Sequence, residues 1–300
     1  MVLTASVDTL PLVVALRLLL GVAEAAFFVA SFAALADLAP PNRTGEALSY
    51  NSLGMYLGFA LGPPLGELLV TTVDFSAAWY GAAGLSLLAA AVVYGIGETR
   101  APRSSADGPV RLIHRKAIAP GIGFFASTVA MGGFLAFASL HAGAVRLEAT
   151  STPLFVYGIV VVICRIAFAK IPDRLPSLPL GAAALAAIAA GLTVMALWST
   201  RTGVLVDTAV VALGVTFSTP AFFRAIFATA GPSQRGAAAG TASAFIDLGL
   251  GGGPILLGAV AQAAGIQWAF GVAASVALAG SVWTLSLRRT PTRSVALSQG

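Results

Sequence analysis

The stretch AIAPGIGFFASTVAMGGFLAFASLHA, residues 117–142, runs for 26 residues without an Asp, Glu, Lys or Arg. About 20 such residues, wound as a helix, cross the hydrocarbon core of a bilayer. Comparable apolar runs flank it on both sides. They fall near 11–36, 46–70, 77–97, 153–169, 178–199, 204–229, 236–263 and 268–287, which makes nine in all. Hydrocarbon offers the peptide group no hydrogen bond, so a spanning segment must be a helix or part of a closed barrel. Barrel strands alternate apolar and polar residues over about ten positions, and no such segments occur. The expected fold class is therefore an all-α membrane protein of about nine transmembrane helices.

Composition agrees. Hydrophobic residues make up 58% of the chain and charged residues 10%, with a mean hydropathy of +0.90. A water-soluble domain carries about 25% charge, so this chain has too little to cover a surface facing water. The lone cysteine, Cys164, lies inside an apolar run. An internal disulfide and a metal site built on paired cysteines are thereby excluded. The net charge of +5 is spread between the apolar runs and does not form one patch, so a nucleic-acid partner is not expected. Residues 1–20 lack the basic start of a signal peptide, Asp8 precedes their apolar stretch and Arg17 interrupts it.

Turn signals separate the runs at Ala39-Pro40-Pro41-Asn42, Ile171-Pro172-Asp173 and Ala230-Gly231-Pro232-Ser233. Basic residues then distribute unevenly between alternate breaks. Arg43, Arg100, Arg103, Arg111, Arg115, Lys116, Lys170, Arg174, Arg235, Arg288, Arg289 and Arg293 fall on one side, against Arg146 and Arg201 on the other. The remaining three of the 17, Arg17, Arg165 and Arg224, lie within or at the edges of spans. This twelve-to-two split assigns the richer side to the cytoplasm. The expectation is a multi-pass protein of a cell membrane, of the bacterial inner-membrane kind, with its N-terminus outside and its C-terminus in the cytoplasm.

An internal repeat appears at an offset of 191 residues. Gly58-Phe-Ala-Leu-Gly62-Pro63 matches Gly249-Leu-Gly-Gly-Gly253-Pro254, and each follows a proline-containing loop with an arginine, at Arg43 and at Arg235. Spans one to three thus repeat as spans seven to nine, and spans four to six have no counterpart. Arg17-Leu-Leu-Leu-Gly21-Val-Ala-Glu24, Asp37-Leu-Ala-Pro40-Pro-Asn-Arg43-Thr-Gly45 and Gly54-x3-Gly58-x3-Gly62-Pro63-Pro-Leu-Gly66 resemble the fourth and fifth helices of the major facilitator superfamily. Gly158 through Arg165 to Asp173-Arg174 is similar to that family's loop between helices eight and nine.

The resemblance implies a bundle of three-helix repeats that works as a transporter, and its glycine-proline pattern is associated with efflux antiporters. It also implies a domain organisation. Residues 1–97 would be an incomplete N-terminal half of three helices, 98–116 a cytoplasmic basic linker, 117–287 a six-helix C-terminal half and 288–300 a cytoplasmic tail. The family's first three helices and its signature loop after the second have no match. The expectation is that the reading frame upstream of Met1 encodes about 80–110 further residues, three spans of about 20 plus loops. Sequencing that DNA checks it, and an in-frame stop immediately before Met1 with no neighbouring gene for three helices would refute it.

Charges inside a membrane are costly and commonly functional. Arg17 and Glu24 are seven residues apart, two turns, so they share a helix face with Gly21 between them. Either they form a polar stripe along a cavity, or both snorkel at a membrane edge. The resemblance links an arginine at this position to proton coupling. Asp247 lies mid-span and is either a coupling carboxylate or a structural hydrogen-bond acceptor. Asp207 reads as a solvated helix start. Arg165 and Arg224 suit either snorkelling or, with Asp173 and Arg174, a cytoplasmic gate of salt bridges. The ladder Gly54, Gly58, Gly62 with Pro63, like Gly249, Gly253 and Pro254, serves either close packing or a hinge. By resemblance, the cavity-lining candidates are Phe124, Ser127, Thr128, Met131 and Phe134 in the fourth span and Thr216, Phe217, Ser218 and Phe222 in the seventh.

The leading expectation is a secondary transporter in the lipid bilayer that exchanges a small organic molecule for protons by alternating access. It needs no cofactor, and no Gly-x4-Gly-Lys-Ser/Thr loop is present to bind ATP. The alternative is a truncated remnant that transports nothing. An intramembrane enzyme stands third. It would need convergent acid, base and nucleophile, and neither His-Glu-x-x-His nor Gly-x-Ser-x-Gly occurs, while His141, near an outer span end, is the one histidine candidate.

Overall fold

A computed structural model describes residues 7, 9–38, 44–95, 113–231 and 234–287, with the side chains at 25, 28–29, 32–38, 44–52, 173, 235 and 236 outside the description. Among the described residues every regular element is helical. The order is α1 (Leu10–Leu38), α2 (Thr44–Thr72), α3 (Phe75–Tyr94), α4 (Ile118–Ala144), α5 (Thr152–Ala167), α6 (Ile171–Arg174), α7 (Ser177–Leu197), α8 (Arg201–Phe227), α9 (Arg235–Asp247), α10 (Gly253–Ala264) and α11 (Ile266–Ser286). A five-residue π-helical segment, Leu248–Gly252, joins α9 to α10, so these act as one long rod. The nine expected spans therefore each coincide with a helix, α9 and α10 counting together. Seven stretches of these described helices are long and apolar enough to cross a membrane: Leu53–Thr72, Phe75–Tyr94, Arg115–Ala144, Ser177–Leu197, Arg201–Phe227, Ala237–Ala264 and Ile266–Ser286. Helix α5, with 16 residues, is apolar but shorter.

One turn signal takes a different form. Ile171-Pro172-Asp173, read as a plain break, is the single helical turn α6. Proline in a first turn costs nothing there, because its missing N–H would have had no helical partner. The turn Ala39-Pro40-Pro41-Asn42 and the tail 288–300 lie outside the described residues, as does most of the 98–116 segment.

Local chemistry sets several boundaries. Asp74 caps α3, its Oδ1 accepting from Ala77 N–H at 2.7 Å. Thr200 caps α8 in the same way, with Oγ1 accepting from Gly203 N–H at 3.1 Å. Both satisfy donors that a helix start leaves free. Between α10 and α11, Gly265 has φ +102°, a left-handed geometry that favours glycine.

The chain divides into two compact units, Met1–Asp107 and Gly108–Gly300. In the first, α2 packs against α1 and α3. These helices bury little: α3 has no buried residue, and Leu85, Leu87 and Leu88 are all exposed. Such an apolar outside suits lipid, whereas a soluble three-helix unit would hide it.

The second unit is built around α4, which touches α5, α7, α8, α9, the π segment, α10 and α11. Small residues let it sit at the centre. A Cβ at Gly253 would lie 3.0 Å from the Cα of Val129, and one at Gly132 would lie 3.2 Å from Pro254 Cδ and 3.3 Å from Leu250 Cα. A Cβ at Gly249 would collide with Thr128. The α7–α8 pair is as close: a Cβ at Gly214 would stand 2.7 Å from the Ala184 carbonyl oxygen, and one at Gly191 2.9 Å from that of Asp207. Lipid tails are as apolar as the side chains, so such backbone approach, more than hydrophobic burial, holds helices together here. Hydrogen bonds add direction. Ser281 Oγ donates to the Ala182 carbonyl at 2.8 Å, and Thr128 Oγ1 donates to the Phe245 carbonyl at 3.1 Å.

These contacts predict a sharp contrast. Gly253→Leu should destabilise the protein by about 1–3 kcal/mol, the usual cost of overpacking. Gly271→Ala, where a Cβ meets nothing within 4 Å, should be neutral or slightly stabilising. Thermal unfolding of both variants in detergent checks it, and equal midpoints would refute the packing assignment.

Candidate functional site

In the first unit the polar stripe centres on α1. Arg17 and Glu24 are both exposed on that helix, and a Cβ at Gly21 between them would meet nothing within 4 Å. The Asp74 cap starts α3 at Phe75 and so sets Trp79 in its second turn. The Arg17 guanidinium lies over the Trp79 ring, 4.9 Å from its centroid. A cation on an aromatic face gains about 0.5–2 kcal/mol depending on solvation. Holding a charge mid-bilayer costs about 2.5–3.5 kcal/mol on insertion scales. The ring contact would offset part of the cost of such a charge inside hydrocarbon. Sequence reasoning missed Trp79, because 62 residues separate it from Arg17 and nothing in either helix marks the crossing.

A Cβ at Gly54, Gly58 or Gly62 would find no described atom within 4 Å, although α2 runs unbroken through Pro63 and Pro64. The repeat counterpart of this ladder, Gly249 and Gly253, is by contrast filled by α4.

In the second unit α4 and α8 bring most of the cavity-lining candidates together. Ser127 Oγ donates to Ser218 Oγ at 2.9 Å, and the Phe124 and Phe222 rings stack at 5.7 Å. Phe134 meets Tyr157 of α5 at 5.2 Å, and Thr216 Oγ1 donates back to the Ala212 carbonyl. Thr128 and Met131 are buried as well, while Phe217 is half-buried beside Phe168. All but Phe217 thus sit inside the unit's packing, although α4 itself keeps Ile118, Ile122 and Leu140 exposed.

The remaining candidates lie apart. Asp247, the last residue of α9, is exposed at the entry to the π segment. Arg165 is half-buried on α5, and Arg174 and Arg224 are exposed; the Asp173 side chain lies outside the described ones. Asp207 differs from its reading as a solvated helix start. The Thr200 cap begins α8 at Arg201, so Asp207 stands nearly two turns in, with no exposed surface. Its Oδ1 accepts from Thr208 Oγ1 at 3.2 Å, and its Oδ2 has no hydrogen-bond partner among the described residues. His141, near the end of α4, is buried too, edge-on to Phe270 at 5.5 Å and with Nε2 unpartnered. No cluster of three or more His, Cys, Asp or Glu able to hold a metal occurs among the described residues.

Comparison with known proteins fits this helical plan. The chain is 27% identical over 268 residues to an uncharacterized MFS-type transporter of Salmonella typhimurium, an alignment covering 88% of this chain and 68% of that protein. Its fold is similar to that of the human organic anion transporter MFSD10 (TETRAN), with a TM-score of 0.64 at 16% identity over 84% of this chain and 66% of that one. The chain thus spans about two thirds of the length of each. Residues 1–223 match the sequence profile of the Major Facilitator Superfamily. The chain belongs to that superfamily.

Proposed function

We propose that this chain carries the larger part of a secondary transporter that moves a small organic molecule by alternating access, with proton coupling and net efflux. The observation that carries the reading is the exposed Arg17, held on Trp79 two helical turns from Glu24 in the otherwise uncharged run 11–36. An apolar span gains nothing by keeping two opposite charges on one face unless that face meets water, a partner or a substrate. In this scheme Glu24 takes up and releases a proton, Arg17 holds an anionic partner in the state where Glu24 is neutral, and Asp247 is a second carboxylate on the pathway. The ladder Gly54, Gly58, Gly62 with Pro63 lets α2 move against its neighbours, while Gly249, Gly253 and Pro254 anchor the corresponding rod. Ser127, Ser218 and the aromatic residues Phe124, Phe134 and Phe222 would be uncovered as the bundle opens, offering a hydroxyl and ring surface to a moderately apolar molecule. Arg165, Asp173, Arg174 and Arg224 would close the cytoplasmic end.

Orientation is testable first. In a Cys164→Ser background, Gly108→Cys and Ser298→Cys should react with an impermeant reagent only from the cytoplasm, and Val73→Cys only from outside. Reaction of positions 73 and 108 from the same side would overturn the arrangement.

The charge roles come second. In proteoliposomes of the full-length protein, Arg17→Ala and Glu24→Gln should each lose at least about tenfold of proton-driven flux, the loss of one charge contact of roughly 1.4 kcal/mol or more. Arg17→Lys should rescue poorly, because an ammonium cannot make the planar fork contact. Trp79→Phe should keep more activity than Trp79→Leu, since phenylalanine retains an aromatic face. Wild-type flux in both charge variants would remove Arg17 and Glu24 from the mechanism.

A further inference from the structure

Asp207 is the one described acidic side chain buried completely. Its surroundings give a carboxylate little to pair with. It stands six residues past the start of α8, about 9 Å along the axis, beyond the first turn where a helix dipole favours negative charge. Helices α4, α5, α7 and α9, the turn α6 and residues 115–117 contact α8. Of these, α9 carries Arg235 and Asp247, α6 carries Asp173 and Arg174, and 115–117 carries Arg115 and Lys116. Within α7 there is no titratable residue, and α4 carries His141 alone. Tyr157, Cys164 and Arg165 are those of α5, with Arg165 in that helix's last turn. On α8 itself, Arg201 is exposed at the first position and Arg224 lies in the last turn. The contacts Ser127–Ser218 and Phe124–Phe222 set an antiparallel register between α4 and α8. Continued along the pair, that register puts Asp207 level with Ala138, about one turn from His141. Two buried polar groups, each with an unpartnered atom, thus lie within about one turn of the same depth in the second unit.

We propose that Asp207 is a proton-binding site inside the C-terminal unit, holding a proton in the conformation seen here and releasing it when α8 separates from α7 and α4. A buried carboxylate without a cation is far costlier than a neutral carboxyl. A metal cation suits the position poorly. A hard cation needs about six oxygen ligands, whereas the one side-chain hydroxyl bonded to Asp207 is that of Thr208. Ionisation requires water or His141 to reach Oδ2. The α7–α8 contact, built on Gly191 and Gly214, is the seam that must part for this to happen. Protonation of Asp207 stands on its burial. Its participation in transport rests on the transporter reading above.

Infrared difference spectroscopy of the full-length protein in nanodiscs, titrated with pH, separates the two. The carbonyl band of a protonated, poorly hydrated carboxylic acid is expected in the unmutated protein. It should vanish in Asp207→Asn and persist in Glu24→Gln and Asp247→Asn. Labelling the unmutated protein with aspartate carrying carbon-13 in its side-chain carboxyl should shift the band, a readout that does not depend on any variant folding. A band unmoved by the label, or unchanged in Asp207→Asn, would overturn the proposal. None of these readouts requires a substrate, so absence of transport would leave the protonation result intact and count only against the transporter reading.

Discussion

Helix α4 and the α9–α10 rod approach so closely that glycine is required on both sides, and much of the second unit depends on this contact. Gly249 and Gly253 rest on Thr128 and Val129, while Gly132 receives Leu250 and Pro254. Within hydrocarbon, burying apolar surface between helices gains almost nothing over leaving it in lipid. What remains is dispersion between close backbones and hydrogen bonds that lipid cannot supply. The π segment Leu248–Gly252 lies at this contact. Its Gly249 admits α4, and Thr128 donates to the Phe245 carbonyl one turn before the segment.

A central α4 shapes the chemistry around it. Largely enclosed by its neighbours, it turns hydroxyls and rings toward other helices instead of outward. The Ser127–Ser218 bond and the Phe124–Phe222 stack are interior contacts of the second unit. Alternating access would have to loosen them, and hydroxyl pairs and ring stacks of about 0.5–1.5 kcal/mol each are weak enough to exchange for substrate contacts. Charged groups follow a different rule. Arg17 has an aromatic face beside it in the first unit, whereas Asp207 in the second has, among the described residues, the hydroxyl and backbone N–H of the neighbouring Thr208. The two units therefore handle polar groups by different devices: partial stabilisation of a permanent cation, and enclosure of a group that can become neutral.

The repeated glycine ladder shows how one motif serves two environments. In α10 and the π segment its positions are filled by α4, and in α2 the equivalent positions meet no described neighbour. A glycine row permits close approach but does not create it. The partner does, and the partner is a property of the bundle.

The sequence by itself determined that this chain crosses a membrane many times as helices, and where each helix lies to within about three residues. Apolar length and the need to close every backbone hydrogen bond decide that without reference to any neighbour. The repeat and the family likeness were legible for the same reason, since glycine, proline and arginine at fixed spacings survive in one dimension. The rotation of each helix was not legible. Runs such as 117–142 and 178–199 carry no charged residue on any side, so periodicity carries little signal about which face is inside. Only the tertiary structure could pair Arg17 with Trp79 across 62 residues, or show that the Thr200 cap draws Asp207 nearly two turns into α8 and out of reach of water. Depth and facing are set by the neighbours a helix packs against, and those neighbours are distant in sequence.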